Sequence, residues 1–317
     1  MAEFNILDLA ADANGNGPPH ALGRRLPAMV TQLLQAIGVD ARHASATVEI
    51  EGGLGWAVSA GRLDEGDAVE LSNRIGPAEF LAWGELAPVK DHGLTLEVRV
   101  LRRSDASEAA KILKDFYEEE VSDVALFIVR KLLELLERPE LLESLDDFDP
   151  LPVLGSSKPM ALLELQEGFD GLAAVEGKLV GSDLVGALGH VLSALERDPS
   201  CELARDILLT ALVTRSDDLG LESSIELAKS LVDAIPDRVE PRLILVRLHR
   251  RNGELGAAKA LLIDGLSKKV KRSSLEEVSL ATELVQVHVE LGEIEEAIRR
   301  GEQTCEAHAS LGDSDPE

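Results

Sequence analysis

Two periods of apolar residues divide the chain. Up to about residue 137, runs of period two alternate with runs of helical period; beyond about residue 161 only the helical period remains. FNILDLA (4–10) predicts a strand, and the Gly-, Asn- and Pro-bearing ADANGNGPPH after it predicts a loop. Leu26, Met29, Val30, Leu33 and Leu34 form a stripe that predicts a helix over 23–38, stopped by Gly38. ATVEI (46–50) alternates as a strand does, and DEGDAVELSNRIG (64–76) predicts a short helix ended by Gly76. Residues 78–89 and 94–103 predict a hairpin turning at Asp91, His92 and Gly93. Leu94, Leu96, Val98 and Val100 share one face of its second strand, with Glu97 and Arg99 on the other. AAKILKDFYEE (109–119) fits a third strand or a helix, and DVALFIVRKLLELLERP (123–139) predicts a strongly apolar helix stopped by Pro139.

The next stretch, ELLESLDDFDPLPVLGSSKPM (140–160), is acidic and then rich in Pro, Gly and Ser, which predicts a solvated connector; docking of a partner at Phe148 is the other reading. From residue 161 onward the turn signals recur. Pro199 and Pro236 close segments 37 residues apart, and Gly220, Gly253 and Gly292 each precede a helix at spacings of 33 and 39. Residues 240–266 and 277–307 share one register: a His (His249, His288), a Gly four places on, and an Ala five after that (Ala258, Ala297). A fixed period of roughly 34–39 residues predicts stacked helix–turn–helix units. The expected fold class is α+β: an N-terminal α/β domain with a small sheet over 1–138, a linker over 139–160, an all-α array of helical hairpins over 161–311 and a tail over 312–317.

Two resemblances attach to these residues. Gly253, Ala258, Gly292 and Ala297, with Pro236 ending the preceding unit, make residues 200–308 similar to tetratricopeptide repeats. That resemblance implies a concave surface that binds protein partners. ELSNRIGPAEFLAWGELAPVKDHGLTLEVRVL (70–101), with Gly76, Gly84 and Gly93, followed by the helix over 123–137, resembles the α/β domain at the amino terminus of TolB-like proteins. It implies scaffolding or sensing, and carries no catalytic residues across.

Composition narrows the functions. With 58 acids against 32 bases the formal charge is -26, which opposes broad contact with nucleic acid or an anionic membrane. Aromatic residues are 3%, so the core must be built from Leu, Val, Ile and Ala. Cys201 and Cys305, 104 residues apart, form neither a disulfide framework nor a Cys-x-x-Cys pair, and are expected as buried free thiols in a reducing cytoplasm. The first residues lack a secretory pattern and no run approaches the ~20 apolar residues of a membrane span, so a cytoplasmic location without membrane insertion is expected.

The sharpest local feature is basic. Residues 238–272 hold ten bases and three acids, +7, against -33 for the remainder. In the repeat register Leu243, Arg247 and Arg250 line the groove face of one first helix, and Thr282 and Gln286 take the matching face of the last unit. Arg forks grip carboxylates, so these five are the candidate partner-binding residues, suited to an acidic peptide. A solvated basic face that balances its acidic neighbours, or docks the chain's own acidic linker, is the competing reading. No aromatic residue interleaves the bases to stack on nucleobases.

Other motifs fail. GGLGWAVSAG (52–61) has Val58 where a dinucleotide loop needs its third Gly and reads as a turn. The carboxylate runs at 117–123 and 145–149 read as solvated faces, His249 and His288 as packing residues, and no Gly-x-Ser-x-Gly occurs. The expected function is therefore a non-catalytic adaptor for a protein partner, without cofactor or metal. The alternative is a sensor whose N-terminal domain binds a small molecule and signals through the repeats. Self-association through exposed array ends stays open beside a charged, solvated end at GDSDPE (312–317).

Overall fold

The computed structural model describes residues 2–11, 22–44, 47–50, 53–56, 64–89, 93–267 and 273–312. The chain forms two compact units, residues 1–201 and 202–317. The N-terminal small sheet followed by a run of helices gives the α+β class its sequence period predicts.

The first unit opens with β1 (Ala2–Leu7), β2 (Ala10–Ala11), α1 (Leu22–Ala36) and β3 (Ala41–Ala44). A hairpin of β4 (Thr47–Ile50) and β5 (Gly53–Trp56) stands apart as its own two-stranded sheet. The stretch read as a Gly-rich turn at 52–61 thus contains a strand at 53–56; its residues 57–61 lie outside the described ones. Then come α2 (Glu65–Ile75), β6 (Ala78–Pro88), β7 (Leu94–Arg102) and β8 (Ser107–Phe116). The main sheet runs β3-β1-β6-β7-β8, with β2 also on β6. β1 pairs parallel with both β3 and β6, while β6-β7 and β7-β8 are antiparallel. The predicted hairpin is β6-β7, although residues 91–92 of its turn lie outside the described ones.

Strand alternation sends side chains to two cores. Phe4, Ile6, Phe80, Ala82, Leu94, Leu96, Val98 and Val100 meet Leu26, Met29, Leu33 and Leu34 of α1 and Val124, Ile128 and Leu132 of α3 (Val121–Leu135). Phe4 and Phe80, partners across β1 and β6, stack with ring centroids 5.3 Å apart. On the opposite side Leu7, Leu81, Trp83 and Leu101 pack with Ala68, Val69, Leu71 and Ile75 of α2. Asn5, buried between them, donates from Nδ2 to Ser72 Oγ (2.9 Å) and the Gly76 carbonyl (2.8 Å), which fastens α2 to the sheet. The undecided stretch 109–119 is edge strand β8. Only Ile112 and Phe116 of it are buried, because its other side faces solvent.

The stretch expected as a linker, 139–160, is helical here: α4 (Pro139–Asp146), α5 (Leu151–Leu154) and the start of α6 (Pro159–Glu176). Leu145 and Leu154 are buried in the larger core, with Leu141, Leu142, Phe148 and Val153 packed against it. A polar lock ties the segment to the end of α7 (Leu184–Arg197). Ser156 Oγ donates to Asp198 Oδ2 at 2.6 Å, Ser200 Oγ donates to Oδ1 at 2.6 Å, and Lys158 Nζ stands 3.4 Å from the same carboxylate. Burial pushes the Asp198 carboxyl up, but the Ser156 and Ser200 hydrogen bonds and Lys158 outweigh it and hold its pKa below the usual value. Helices α6 and α7 then cross closely at Gly168 and Gly171. A Cβ at Gly171 would lie 2.7 Å from Ala187 Cβ.

The second unit is helical throughout its described residues: α8 (Glu202–Thr214), the single turn α9 (Ser216–Leu219), α10 (Leu221–Ala234), α11 (Val239–Arg251), α12 (Leu255–Ser267), α13 (Ser274–Glu290) and α14 (Ile294–Gly312). Gly220, Gly253 and Gly292 precede α10, α12 and α14 with φ of 77°, 76° and 76°, the left-handed turn that their recurrence predicts. Cys201 is buried as expected, but Cys305 is exposed, because it lies on the same side of α14 as exposed Ile294 and Ile298. Ala258 and Ala297 are buried. Ala258 sits in one cluster with Val239 and Val246 of α11, Leu262 of α12, and Leu280, Leu284 and Val287 of α13, so each pair packs on the next. Among the described residues no helix is long and apolar enough to cross a membrane.

Candidate partner-binding site

The turn between paired helices is built twice with the same parts. The Glu254 N–H donates to the His249 carbonyl at 2.8 Å, and the Glu254 carboxylate meets His249 Nδ1 at 2.5 Å. The Glu293 N–H donates to the His288 carbonyl at 2.9 Å, and its carboxylate meets His288 Nδ1 at 2.5 Å. Both imidazoles are buried, and each carboxylate folds back over the glycine to satisfy its histidine. Between these turns, Ser273 opens α13 with a capping box. Its Oγ accepts from the Glu276 N–H (3.2 Å), and the Glu276 carboxylate accepts from the Ser273 N–H (2.7 Å).

This framework places the five predicted residues. Arg247 donates from Nε to Glu283 Oε1 at 2.7 Å, and Arg250 donates from Nη1 to Glu283 Oε2 at 2.7 Å. Arg250 also reaches Gln286 Oε1 at 2.9 Å and forks onto the Glu290 carboxylate. Thr282 and Gln286 are exposed one turn apart on α13, and Thr282 Oγ1 is engaged by the Val278 carbonyl at 2.8 Å. Arg247, Arg250 and Gln286 therefore come together around Glu283. Leu243 does not join them: it is half-buried against the cluster of Val239, Val246 and Leu284.

Glu283, absent from the sequence-based set, is the centre of the arrangement. It is buried, and a buried carboxylate is tolerable only when paired, here by two guanidinium groups from the preceding helical pair. The hydrogen bond to Glu290 raises the Arg250 pKa, and the same bond holds the Glu290 carboxyl below its usual value. A signal for Glu283 existed: it lies 36 residues after Arg247, in the first helix of the next pair.

Three other cations of the basic window, Arg242, Arg251 and Lys259, are engaged in the same way. Buried Arg242 donates to Asp264 (2.7 Å) and to the Leu261 carbonyl (3.2 Å). Arg251 meets Asp217 at 3.0 Å, and Lys259 meets Glu293 at 2.7 Å. These charges are thus directed into the acids of their own and neighbouring helical pairs. Arg247 differs. Its side chain is 61% exposed and holds Glu283 through Nε alone, which leaves the two terminal nitrogens for an incoming carboxylate. Lys268, Lys269, Lys271 and Arg272 lie outside the described residues.

A second group of ionisable side chains gathers in the first unit, at the carboxyl ends of β1 and β3. Asp8, just past β1, meets His43 Nε2 of β3 at 2.7 Å. Arg24 and Arg25, in the first turn of α1, pair with Asp170 (3.5 Å) and Glu167 of α6. Burial lowers the Arg25 pKa and raises that of Asp170, against the pull of Arg24. A cavity of about 300 Å³ opens beside them, lined by Arg24, Glu167, Asp170, Asp183 and His190. β1 lies between β3 and β6, so the chain reverses its direction of travel across the sheet there, the position where parallel strands open a crevice.

The chain matches no protein-family model and no curated protein.

Proposed function

We propose that the protein is a non-catalytic, cytoplasmic scaffold that needs no cofactor and docks a protein partner on its helical pairs. The carrying observation is the exposed guanidinium of Arg247, flanked by Arg250, Thr282 and Gln286 on two successive first helices. In this reading the pairs are tetratricopeptide-like repeats, supported by the recurrent His–Gly–Glu turn and the buried Ala258 and Ala297. The first unit is read as a TolB amino-terminal-like α/β domain, supported by the order of α2, β6, β7, β8 and α3. The partner contributes an acidic segment, whose carboxylate takes the terminal nitrogens of Arg247. Affinity capture with the full chain tests this. Arg247→Gln, which removes the fork without setting a carboxylate against Glu283, should lower partner recovery about tenfold, equivalent to about 1.4 kcal/mol, while Arg250 keeps Glu283 paired and helicity is unchanged. Equal recovery would remove the groove from the function.

The group around Asp170 favours a second reading, a sensor that binds a small charged molecule in the first unit and signals through the repeats. A compound at a hundred times its Kd should stabilise the chain by about 2.7 kcal/mol, read as a rise in Tm, and Asp170→Asn should abolish that rise. A library of charged metabolites that leaves Tm unmoved would sink this reading.

A further inference from the structure

The last two helical pairs follow one layout at a constant offset of 39 residues, from His249 to His288, Gly253 to Gly292 and Ala258 to Ala297. Applying that offset to the residues by which α11 and α12 hold the next pair gives the residues that α13 and α14 offer outward. Arg247 becomes Gln286, Arg250 becomes Val289 and Lys259 becomes Ile298. All three cations that grip Glu283, Glu290 and Glu293 are thus replaced by uncharged residues.

The face is apolar and open. Val289, Ile294 and Ile298 are 53%, 52% and 58% exposed. Ile294, Ile298, Gly301 and Cys305 fall at i, i+4, i+7 and i+11, one stripe of α14. The apolar wall that Val246 and Leu262 present to α13 becomes Val285 and Gly301 here. Beside a Cβ placed on Gly301, Val285 Cγ1 at 4.0 Å is the nearest atom, so a hollow replaces a leucine. An array surface meant for water carries polar residues throughout, whereas the centre of this one, Val289, Ile294 and Ile298, is apolar.

We propose that this face is an interface between two copies of the chain, related by a two-fold axis near Gly301. The face carries a knob and a hollow within one helical turn, Ile298 beside Gly301. A two-fold exchanges them, and Ile298 of each copy enters the Gly301–Val285 hollow of the other. Charge favours this occupant over a helix of the kind α13 is. Such a helix would bring carboxylates where α11 and α12 hold Arg247, Arg250 and Lys259, and would find Gln286, Val289 and Ile298 instead, leaving buried acids unpaired. A second copy brings only the same uncharged side chains. Exposed Glu295, Glu302 and Glu306 flank the stripe and repel their counterparts at the rim, so added salt tightens the dimer.

Sedimentation equilibrium of the full chain at low and high salt tests the proposal, with Ile298→Glu as the variant. The expected result is a concentration-dependent dimer, tighter at high salt, whose Kd rises at least about tenfold in Ile298→Glu while far-UV circular dichroism stays the same. A short bismaleimide gives a geometric readout. Cys305 lies four residues from Gly301, so a rise of 1.5 Å per residue puts the two thiols about 12 Å apart along crossing antiparallel helices. Cys201 is buried, so a cross-linked dimer reports Cys305. The native chain should cross-link and Ile298→Glu should not. A monomer at roughly 100 μM under both salts, or a dimer indifferent to Ile298→Glu, would overturn the proposal, the latter pointing to a different surface.

Discussion

Gly84→Ala should lower the unfolding free energy of the first unit by about 3 kcal/mol, the largest effect expected of any single methyl group here. Gly84 lies in the middle of β6, paired with Val98 of β7. A Cβ at that position would stand 1.9 Å from the Glu97 carbonyl oxygen and 2.9 Å from Val98 Cα. Both obstacles are main chain, so no rotamer change relieves the clash; the two strands must separate and lose ladder hydrogen bonds. The measurement has a built-in reporter. Both tryptophans, Trp56 and Trp83, belong to the first unit, and Trp83 is buried next to the substitution. Urea titration followed by tryptophan fluorescence should show an earlier midpoint. An unchanged midpoint would mean that β6 and β7 do not pair in this register.

Asp198→Ala should cost about 3 kcal/mol, because it removes a charged acceptor and strands buried Ser156. Its pH signature separates it from a packing defect. The folded carboxyl sits below its unfolded value, so its contribution is complete above the unfolded pKa of about 4 and is lost as pH falls through the folded value. The gap in stability between the native chain and Asp198→Ala is therefore expected to be widest at neutral pH and to narrow in acid, where the protonated carboxyl still accepts from Ser156. Asp198→Asn should fall between the two at pH 7, since it keeps an acceptor for Ser156 and Ser200. A gap that stays constant from pH 7 into acid would mean that the charge contributes nothing.

These two positions also mark where the sequence is informative and where it is silent. The hairpin of β6 and β7 is legible because its partners are close in the chain and alternate cleanly, with Leu94, Leu96, Val98 and Val100 all buried. The repeat turns are legible for a similar reason: the left-handed glycine and the alanine after it are local necessities, and they recur. The helices of 139–160 are not legible, because acids and prolines that face solvent mask apolar residues whose partners include α1, far away in sequence. The Asp198 lock that holds the segment spans 42 residues and leaves no local pattern.

The candidate site divides in the same manner. Arg247, Arg250 and Gln286 could be brought together from the repeat register alone. Their partner Glu283 is not legible from the charge of residues 238–272, because the acids that answer these bases lie outside that window, in the next helical pair. Helical phase puts Leu243 on the groove face with the arginines, yet the packing of α11 against α13 half-buries it against Val239, Val246 and Leu284.

Gly253 and Gly292 hold the same backbone angle and are spanned by the same histidine clasp, 39 residues apart. Each bend closes its own His–Glu bridge, although Glu293 also takes Lys259 from the preceding helix. Duplicating the block between the two glycines would copy a competent bend, but the second α13 would meet Gln286 and Val289 where the first meets Arg247 and Arg250, so a stack lengthened by recombination needs arginine restored at those two positions.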